Sequence, residues 1–190
     1  HGIRRADIQP GEFVLVTGAG PIGLAAMEFA KLKGAEIIVM DLNSERLEFC
    51  KNILGISNII HGGQSEIIEQ LSGITQGNMP TVVIDASGNR KAINNGFSYL
   101  AHGGRYILIG LQKEEIIFSH PAFHKKEITL MSSRNATRDD FEYVIQNMVN
   151  RQVNPRSFIT NRVKFEDVAA GFPDWIDPSN HVIKVVVEKE

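Results

Sequence analysis

The stretch that decides the fold is residues 13–26, which read FVLVTGAGPIGLAA. A β-branched apolar run leads directly into the pattern G-x-G-x-x-G, and an alanine-rich helical pattern follows without a break. Gly18 permits the tight turn out of the strand, Gly20 lets a pyrophosphate approach the backbone, and Gly23 leaves room where helix and strand touch. The helix start also offers unpaired amide groups to phosphates. The stretch therefore predicts a strand, a phosphate-binding turn and a helix.

Asp41 lies where a dinucleotide-binding fold places the acid that binds the adenosine ribose. It ends a second β-like run, 36–41, and follows the third glycine of the motif by 18 residues. A 2′-phosphate there would meet like charge, and two unit charges about 4 Å apart repel by up to about 4 kcal/mol at an effective dielectric constant of 20. The residue therefore favours NAD over NADP, and Arg46 could flank the ribose or remain solvated. The alternative role for Asp41 is a cap on the helix that begins near Asn43 or Ser44.

The composition limits the class of protein. The chain has 190 residues, 43% hydrophobic and 22% charged, which is typical of one globular domain, alone or with part of another. A net charge of −2 without a long basic run argues against nonspecific nucleic-acid binding. No apolar run approaches the roughly 20 residues of a membrane span, and no signal-like N-terminus is present. The single cysteine, Cys50, excludes an internal disulfide framework and favours the cytoplasm, and its helical spacing with Leu47 and Leu54 predicts a core position.

Strands and helices alternate along the chain, as expected of βαβ units around a parallel sheet. We predict an α/β fold, a doubly wound Rossmann sheet of about six strands in the order 3-2-1-4-5-6 with helices on both faces. The predicted strands are 13–17, 36–41, 58–60, 81–85, 105–109 and 127–131, with a short edge strand at 116–118. The predicted helices are 21–33, 44–54, 64–71, 89–100 and 137–150. After these we expect a loop over 155–167, a short helix over 165–175 and a strand over 181–187 without an evident partner.

These features resemble the coenzyme-binding domain of zinc-dependent medium-chain alcohol and polyol dehydrogenases. The matching segments are VTGAGPIG (16–23), VMD (39–41), IDASG (84–88) and GGRYILIG (103–110). The resemblance covers nearly the whole chain. Within the family, FHKKE (123–127) and SRNAT (133–137) are similar to bacterial hexonate dehydrogenases of the L-galactonate or L-gulonate 5-dehydrogenase type.

The resemblance implies NAD as the cofactor and assigns its contacts. The pyrophosphate would be held by Gly18, Gly20, Pro21, Ile22 and Gly23, and the adenosine ribose by Asp41 and Arg46. The path from adenine to nicotinamide would be lined by Ala86 and Ser87. The carboxamide would be bound by Ile109, Leu111, Ser132 and Ser133. The family's zinc-binding catalytic domain precedes the matching segment, so no catalytic residue and no metal ligand is assigned to this chain. The fragment alone is expected to be inactive.

The same resemblance implies a domain organisation and partners. Residues 1–10 would end a helix that connects two domains, 11–150 would form the NAD-binding domain, and 151–190 would return toward the absent catalytic domain. The intact enzyme would oxidise a secondary alcohol of a sugar acid or polyol. We expect a homo-oligomer that forms through the edge strand at 116–118, and neither nucleic acid nor a membrane as a partner.

Two smaller groups of residues have alternative interpretations. Lys125, Lys126 and Arg134 are either solvated side chains at a strand entry or a basic group that places a sugar-acid carboxylate or the cofactor phosphates. His120 and His124 have the spacing of a metal-binding H-E-x-x-H helix but lack its glutamate, so the start of a surface helix explains them better.

Other functions stay open on the residues alone. An NADPH-dependent, zinc-independent quinone or enoyl reductase of the same superfamily is opposed by Asp41. A non-catalytic nucleotide-sensing module is compatible with the same turn. A methyltransferase also uses a glycine turn and an acid after the second strand, but the third glycine fits a dinucleotide better. A short-chain dehydrogenase is disfavoured because no tyrosine is followed by lysine at the fourth position.

Overall fold

Six strands form one parallel sheet in the computed structural model, which describes residues 1–189. In chain order they are β1 (Phe13–Thr17), β2 (Glu36–Asp41), β3 (Asn58–His61), β4 (Val82–Asp85), β5 (Arg105–Leu108) and β6 (Thr129–Ser132). Their order across the sheet is β3-β2-β1-β4-β5-β6, which confirms the predicted topology. Because β1 pairs with both β2 and β4, the order reverses between β1 and β4.

The helices follow the predicted pattern with shifted ends. They are α1 (Gly2–Ala6), α2 (Pro21–Leu32), α3 (Ser44–Asn52), α4 (Ile67–Ile74), α5 (Arg90–Gly96), α6 (His120–Lys125), α7 (Arg138–Val149) and α8 (Val168–Ile176). The helix predicted over 89–100 ends at Gly96 and continues as a 3₁₀ turn, Phe97–Tyr99. A capping box between Thr137 and Asp140 fixes the start of α7, within a turn of the predicted start at 137.

The central strands of the sheet are buried on both faces, whereas the outer strand β6 is largely exposed. Successive residues of a central strand point to opposite sides, so each such strand contributes to two core clusters. Val14 and Val16 of β1 lie in one core cluster, and Leu15 between them lies in the other, with Leu71 of α4. Cys50 of α3 is fully buried in the first cluster, which confirms its predicted core position. Burial, with a contribution from the nearby charge of Asp41, raises the pKa of the Cys50 thiol to about 12.

One prediction for the C-terminal part is wrong, and another is confirmed with a later start and a partner that was not evident from the sequence. The segment expected to be a loop contains β7 (Asn161–Lys164), and the strand expected over 181–187 is β8 (Val185–Glu188), which pairs with β7 in parallel. The sequence of β7 is Asn-Arg-Val-Lys, with a single apolar residue. Its strand conformation comes from pairing with a segment more than twenty residues away rather than from local preference.

The edge strand predicted over 116–118 does not form within residues 1–189, where β6 is the outer strand. Phe118 instead stacks on Phe97, with 4.7 Å between ring centroids, and its ring lies 5.0 Å from that of Phe123. Ile116 packs against the second core cluster. The apolar residues that suggested a strand are therefore used for aromatic packing in the single chain.

Glu12 joins the amino-terminal ends of three strands, at the edge opposite to the carboxyl ends. Its carboxylate accepts hydrogen bonds from the Arg105 guanidinium at 2.5 and 2.6 Å, the Thr81 hydroxyl at 2.8 Å and the Gln9 amide at 2.7 Å. Partial burial alone would raise the pKa of the Glu12 carboxyl, but these hydrogen bonds and the Arg105 charge outweigh it. The pKa therefore lies below the ordinary value of 4.5.

Glu12→Gln is expected to lower the free energy of unfolding by about 1–3 kcal/mol at neutral pH, because it leaves the half-buried Arg105 guanidinium without its anion. A carboxyl whose pKa is lower in the folded state than in the unfolded state stabilises the fold. Its contribution is fully present when the pH is above the pKa of the unfolded state, and it is lost as the pH falls through the pKa of the folded state. The difference in the free energy of unfolding between the unmodified protein and Glu12→Gln should therefore shrink as the pH falls below 4.5, the ordinary pKa of the carboxyl. Urea unfolding at neutral pH and at about pH 3 measures it.

The matched control for Glu12 is Glu142→Gln, which removes a carboxylate from an exposed pair with Arg138. Exposed pairs of this kind contribute little, so the free energy of unfolding should change by less than about 0.5 kcal/mol. A Glu12→Gln deficit that stayed constant between the two pH values would contradict the ionic origin of the effect.

Candidate functional site

The turn between β1 and α2 brings three backbone segments close together. Gly18 has a φ of +99°, which side-chain-bearing residues rarely adopt, and a Cβ on it would lie 2.9 Å from the amide nitrogen of Ser87. A Cβ on Gly23 would overlap the carbonyl oxygen of Gly18 and lie 2.9 Å from its carbonyl carbon. The fold itself therefore requires glycine at both positions.

Gly20 is different, because the fold does not require glycine there. It is the N-cap of α2 with a φ of −78°, and a Cβ on it would meet only the Arg46 side chain, at 3.9 Å. No side chain caps the helix, and Pro21 occupies its first turn. The bare backbone at Gly20 thus leaves an open cradle at a helix N-terminus, where amide groups and the helix dipole favour an anion. The cradle fits a pyrophosphate.

Asp41 lies at the end of β2, beside this turn. Its Oδ2 accepts a hydrogen bond from the Ala19 amide at 2.6 Å, and its Oδ1 accepts one from the Asn43 amide at 2.8 Å. The N-cap of α3 is Asn43, whose side chain accepts from the Glu45 and Arg46 amides, so Asp41 is not the cap. Each carboxylate oxygen retains acceptor capacity for a further donor such as a ribose hydroxyl.

A buried carboxylate at the end of β4 organises the centre of the crevice, and it was not among the predicted site residues. Asp85 is fully buried and accepts hydrogen bonds from the Thr17 hydroxyl at 2.9 Å, the Ser87 hydroxyl at 2.7 Å and the Gly88 amide at 3.0 Å. A Cβ on Gly110 would lie 2.7 Å from its Oδ1. The available signal was an acid that closes a hydrophobic strand just before a turn of small residues.

A cavity of about 520 Å³ opens at the ends of β5 and β6, next to α1, α2 and α7. Three predicted site residues line it: Ile22, Ile109 and Ser133. The Ser133 amide donates to the Leu108 carbonyl at 2.8 Å and so continues the pairing of β5 with β6. The volume falls within the range of roughly 300–1,000 Å³ that small-molecule sites occupy.

Other predicted residues meet this crevice mainly through their backbone. Leu111 is 91% exposed, and its carbonyl oxygen would lie 2.9 Å from a Cβ on Gly88. The Ser132 carbonyl accepts a hydrogen bond from the Arg5 guanidinium. Ala86 lies against the start of α2, where its Cβ would be 3.5 Å from a Cβ on Gly23. The predicted site residues thus lie at the carboxyl ends of strands, in the turns that follow them, or in the first turn of α2 or α3.

Of the two interpretations of Lys125, Lys126 and Arg134, the basic group at the crevice is not formed. Lys126 precedes β6, and its Nζ donates to the carbonyls of Ser98 and Leu100 at 3.0 and 2.7 Å. Desolvation lowers the pKa of this amine. Arg134 follows β6 and lines the cavity. Because β6 has four residues, at about 3.3 Å each, roughly 13 Å of strand separates the two cations.

Candidate metal-ligating side chains do not converge within residues 1–189. No group of three or more His, Cys, Asp or Glu side chains there is arranged to hold a metal ion. His120 and His124 lie one turn apart on α6, with 6.0 Å between ring centroids. No helix in the same part of the chain is long and apolar enough to cross a membrane.

The sheet order, the glycine turn and the acid that ends β2 define a Rossmann-type domain of the dehydrogenase kind. The chain belongs to the family described as zinc-binding dehydrogenase, whose model matches residues 21–150. It is 39% identical over 187 residues to L-galactonate-5-dehydrogenase of Escherichia coli K12, a match that covers 98% of this chain and 55% of that protein. It is 32% identical to a sorbitol dehydrogenase of Halalkalibacterium halodurans, over 97% and 52% of the two chains. The chain thus spans about half the length of these curated relatives.

Solved structures of dehydrogenases share the fold. A protein described as a short chain alcohol dehydrogenase from E. coli CFT073, complexed with NADH, superposes with a TM-score of 0.87 at 28% identity, over 98% of this chain and 55% of that one. L-idonate 5-dehydrogenase of E. coli K-12 gives a TM-score of 0.88 at 22% identity, over 100% and 53%. The second likeness concerns the fold alone.

Proposed function

We propose that this chain is the NAD(H)-binding part of an oxidoreductase that oxidises a secondary alcohol of a sugar acid or polyol. The observation that carries the proposal is the cradle at Gly20, an uncapped helix N-terminus beside the Asp41 carboxylate. The similarity to L-galactonate-5-dehydrogenase supports the substrate class. The NADH complex of a structural relative supports the cofactor.

The proposed contacts follow the crevice from one end to the other. The pyrophosphate lies on the turn at Gly20, and the adenosine ribose is held by Asp41 and flanked by Arg46. The dinucleotide then passes Ala86 and Ser87, and its carboxamide binds the segments at 109–111 and 132–133. When bound, NAD would accept the hydride, and zinc held by the rest of the intact protein would polarise the alcohol oxygen.

We also propose how the chain is divided into segments and where the intact enzyme is found. Residues 1–10 end the connecting helix, 11–150 form the NAD-binding domain, and 151–190 return toward the other part of a cytoplasmic enzyme. As the family resemblance implies, zinc would be bound outside this chain, and the chain alone would be inactive. Segment 116–118 would become an edge strand when a second copy pairs with it.

The intact protein is expected to reduce NAD with L-galactonate, to lose this activity on exhaustive chelation, and to regain it with zinc. This chain alone is expected to bind NADH without activity. Spectrophotometric assays of NADH formation, with and without chelator, measure the first result, and calorimetric titration measures the second. Activity that survives complete chelation would contradict the zinc-dependent chemistry, and a chain that binds no dinucleotide even in the intact protein would contradict the whole proposal.

A further inference from the structure

Asp85 is a buried carboxylate that the proposed contacts with the dinucleotide do not use. It is fully buried at the end of β4, and its Oδ2 accepts hydrogen bonds from the Ser87 hydroxyl at 2.7 Å and the Thr17 hydroxyl at 2.9 Å. Its Oδ1 accepts one from the Gly88 amide at 3.0 Å. Because a carboxylate is costly to bury without such partners, the turn that follows β4 is built around this group.

The hydrogen bonds of the Ser87 hydroxyl determine what it can offer to a bound molecule. Ser87 is exposed, whereas Thr17 is buried. A serine hydroxyl has one proton and two lone pairs. The proton is donated to Asp85, and one lone pair accepts a hydrogen bond from the Asn89 amide at 3.1 Å. Within the described part of the chain this leaves one lone pair unused, so Ser87 can accept a hydrogen bond from a ligand but cannot donate one. Donation to a carboxylate also strengthens this acceptor, because hydrogen bonds in a chain polarise one another.

The place of β4 in the sheet indicates which part of a dinucleotide meets Ser87. β4 lies between β1, which carries the phosphate-binding turn, and β5, which leads to the segment at 109–111. The Ile109 and Gly110 amides both donate to the Asp85 carbonyl at 2.9 Å, so this segment lies next to the turn after β4. In NAD the group between the pyrophosphate and the nicotinamide ring is a ribose, whose hydroxyl groups can donate a hydrogen bond. The unused lone pair suits this ribose, whereas a phosphate oxygen can only accept.

We propose that Asp85 is a positioning residue for the dinucleotide: it holds the Ser87 hydroxyl as an acceptor for a hydroxyl group of this ribose. The inference rests on the proposed function. Asp85 acts through Ser87, because its own carboxylate is fully buried. An asparagine in its place would keep the shape and change the hydrogen bonding. With its nitrogen at the Oδ1 position it would face the Gly88 amide, and with its nitrogen at the Oδ2 position it would donate to the Ser87 oxygen and occupy the unused lone pair.

AMP and NADH together separate a positioning role from a structural one, because AMP ends at the phosphate-binding turn and does not extend to Ser87. In calorimetric titrations of the intact protein, Ser87→Ala is expected to lower NADH affinity about threefold to tenfold, the effect of one hydrogen bond. AMP affinity should change by less than about twofold. Ser87→Thr, which keeps the hydroxyl, should bind NADH like the unmodified protein.

The second variant tests whether the two residues act as one unit. Asp85→Asn is expected to lower NADH affinity by at least as much as Ser87→Ala, again with little change for AMP. When Ser87→Ala is added to Asp85→Asn, the further loss of NADH affinity should be less than about twofold, because the acceptor is already occupied.

Thr75→Val is the matched control for the loss of a buried hydrogen bond. Thr75 is fully buried at the C-terminus of α4, before β4 begins, and its hydroxyl donates to the Leu71 carbonyl at 2.7 Å. The variant should lower the midpoint of urea unfolding and leave the affinities for AMP and NADH unchanged.

Three results would overturn this assignment. Unchanged NADH affinity in Ser87→Ala would remove the ribose contact, and because Ser87 is exposed this variant tests the proposal even where Asp85→Asn does not fold. An equal loss of AMP and NADH affinity in Asp85→Asn would give Asp85 a structural role, and losses that multiply in the double variant would make the two residues independent. Failure of the unmodified protein to bind either AMP or NADH is a different result. It would overturn the proposed function, and the assignment of Asp85 with it.

Discussion

Gly23→Ala is expected to lower the free energy of unfolding by about 3 kcal/mol or more and to abolish dinucleotide binding. The added methyl group would overlap the Gly18 carbonyl oxygen, and both atoms belong to backbone that the surrounding structure fixes. Gly18 cannot move aside, because it is already packed against the turn that follows β4. A Cβ on Gly18 would lie only 2.9 Å from the Ser87 amide nitrogen in that turn. The clash must therefore separate α2 from β1.

Gly20→Ala is the matched control for the effect on stability, since it adds the same methyl group three residues earlier. Its φ of −78° suits alanine, and the nearest atom would be the Arg46 guanidinium at 3.9 Å. The free energy of unfolding should change by less than about 0.5 kcal/mol. NADH affinity should fall about tenfold or more, because the methyl group occupies the cradle proposed for the pyrophosphate.

Urea unfolding and calorimetric titration with NADH separate the two effects. The expected pattern is loss of stability and binding for Gly23→Ala, and loss of binding alone for Gly20→Ala. If Gly20→Ala bound NADH as tightly as the unmodified protein, the pyrophosphate could not lie at the start of α2. If Gly23→Ala were as stable as the unmodified protein, helix and strand would not be in the contact described here.

The sequence was sufficient for the sheet because its central strands are buried on both faces. Residues such as Val14, Leu15 and Val16 form short continuous apolar runs that end in glycine turns, and this combination is typical of parallel strands. β7 could not be predicted in the same way, since its conformation depends on pairing with β8. The strand predicted over 116–118 was wrong for the opposite reason. Local preference indicated a strand, but in the fold Phe118 packs against Phe97.

The crevice could be placed from sequence because topology alone brings the carboxyl ends of the strands together. Which side chains interact inside the crevice could not be predicted from the sequence. Asp85 is the clearest case, since its partners Thr17 and Ser87 come from two different turns that only the sheet brings together. Lys126 is the converse: the charged run left both a solvated surface and a ligand site open, and the amine in fact donates to carbonyl groups at the far end of β6.

Asp41 is expected to make NADH bind at least about ten times more tightly than NADPH. Hydrogen bonds from the Ala19 and Asn43 amides hold its carboxylate beside the phosphate-binding turn. A 2′-phosphate about 4 Å away would be repelled by up to about 4 kcal/mol per unit charge at an effective dielectric constant of 20. Arg46 lies near the same turn and would attract that phosphate, which is why the expected preference is smaller than the repulsion alone implies.

The ratio of the two affinities is the quantity to measure, because Asp41→Ala also removes acceptors from two backbone amides. Structural damage to the turn weakens NADH and NADPH alike and leaves their ratio unchanged. Loss of the carboxylate removes both the ribose contact and the repulsion of a 2′-phosphate, and so changes the ratio. In calorimetric titrations, Asp41→Ala should bring the ratio close to one, and Arg46→Ala, which keeps the acid and removes the cation, should raise it. A preference for NADH that survived Asp41→Ala would mean that the discrimination comes from another part of the crevice. A preference for NADPH in the unmodified protein would favour the zinc-independent reductases of the superfamily.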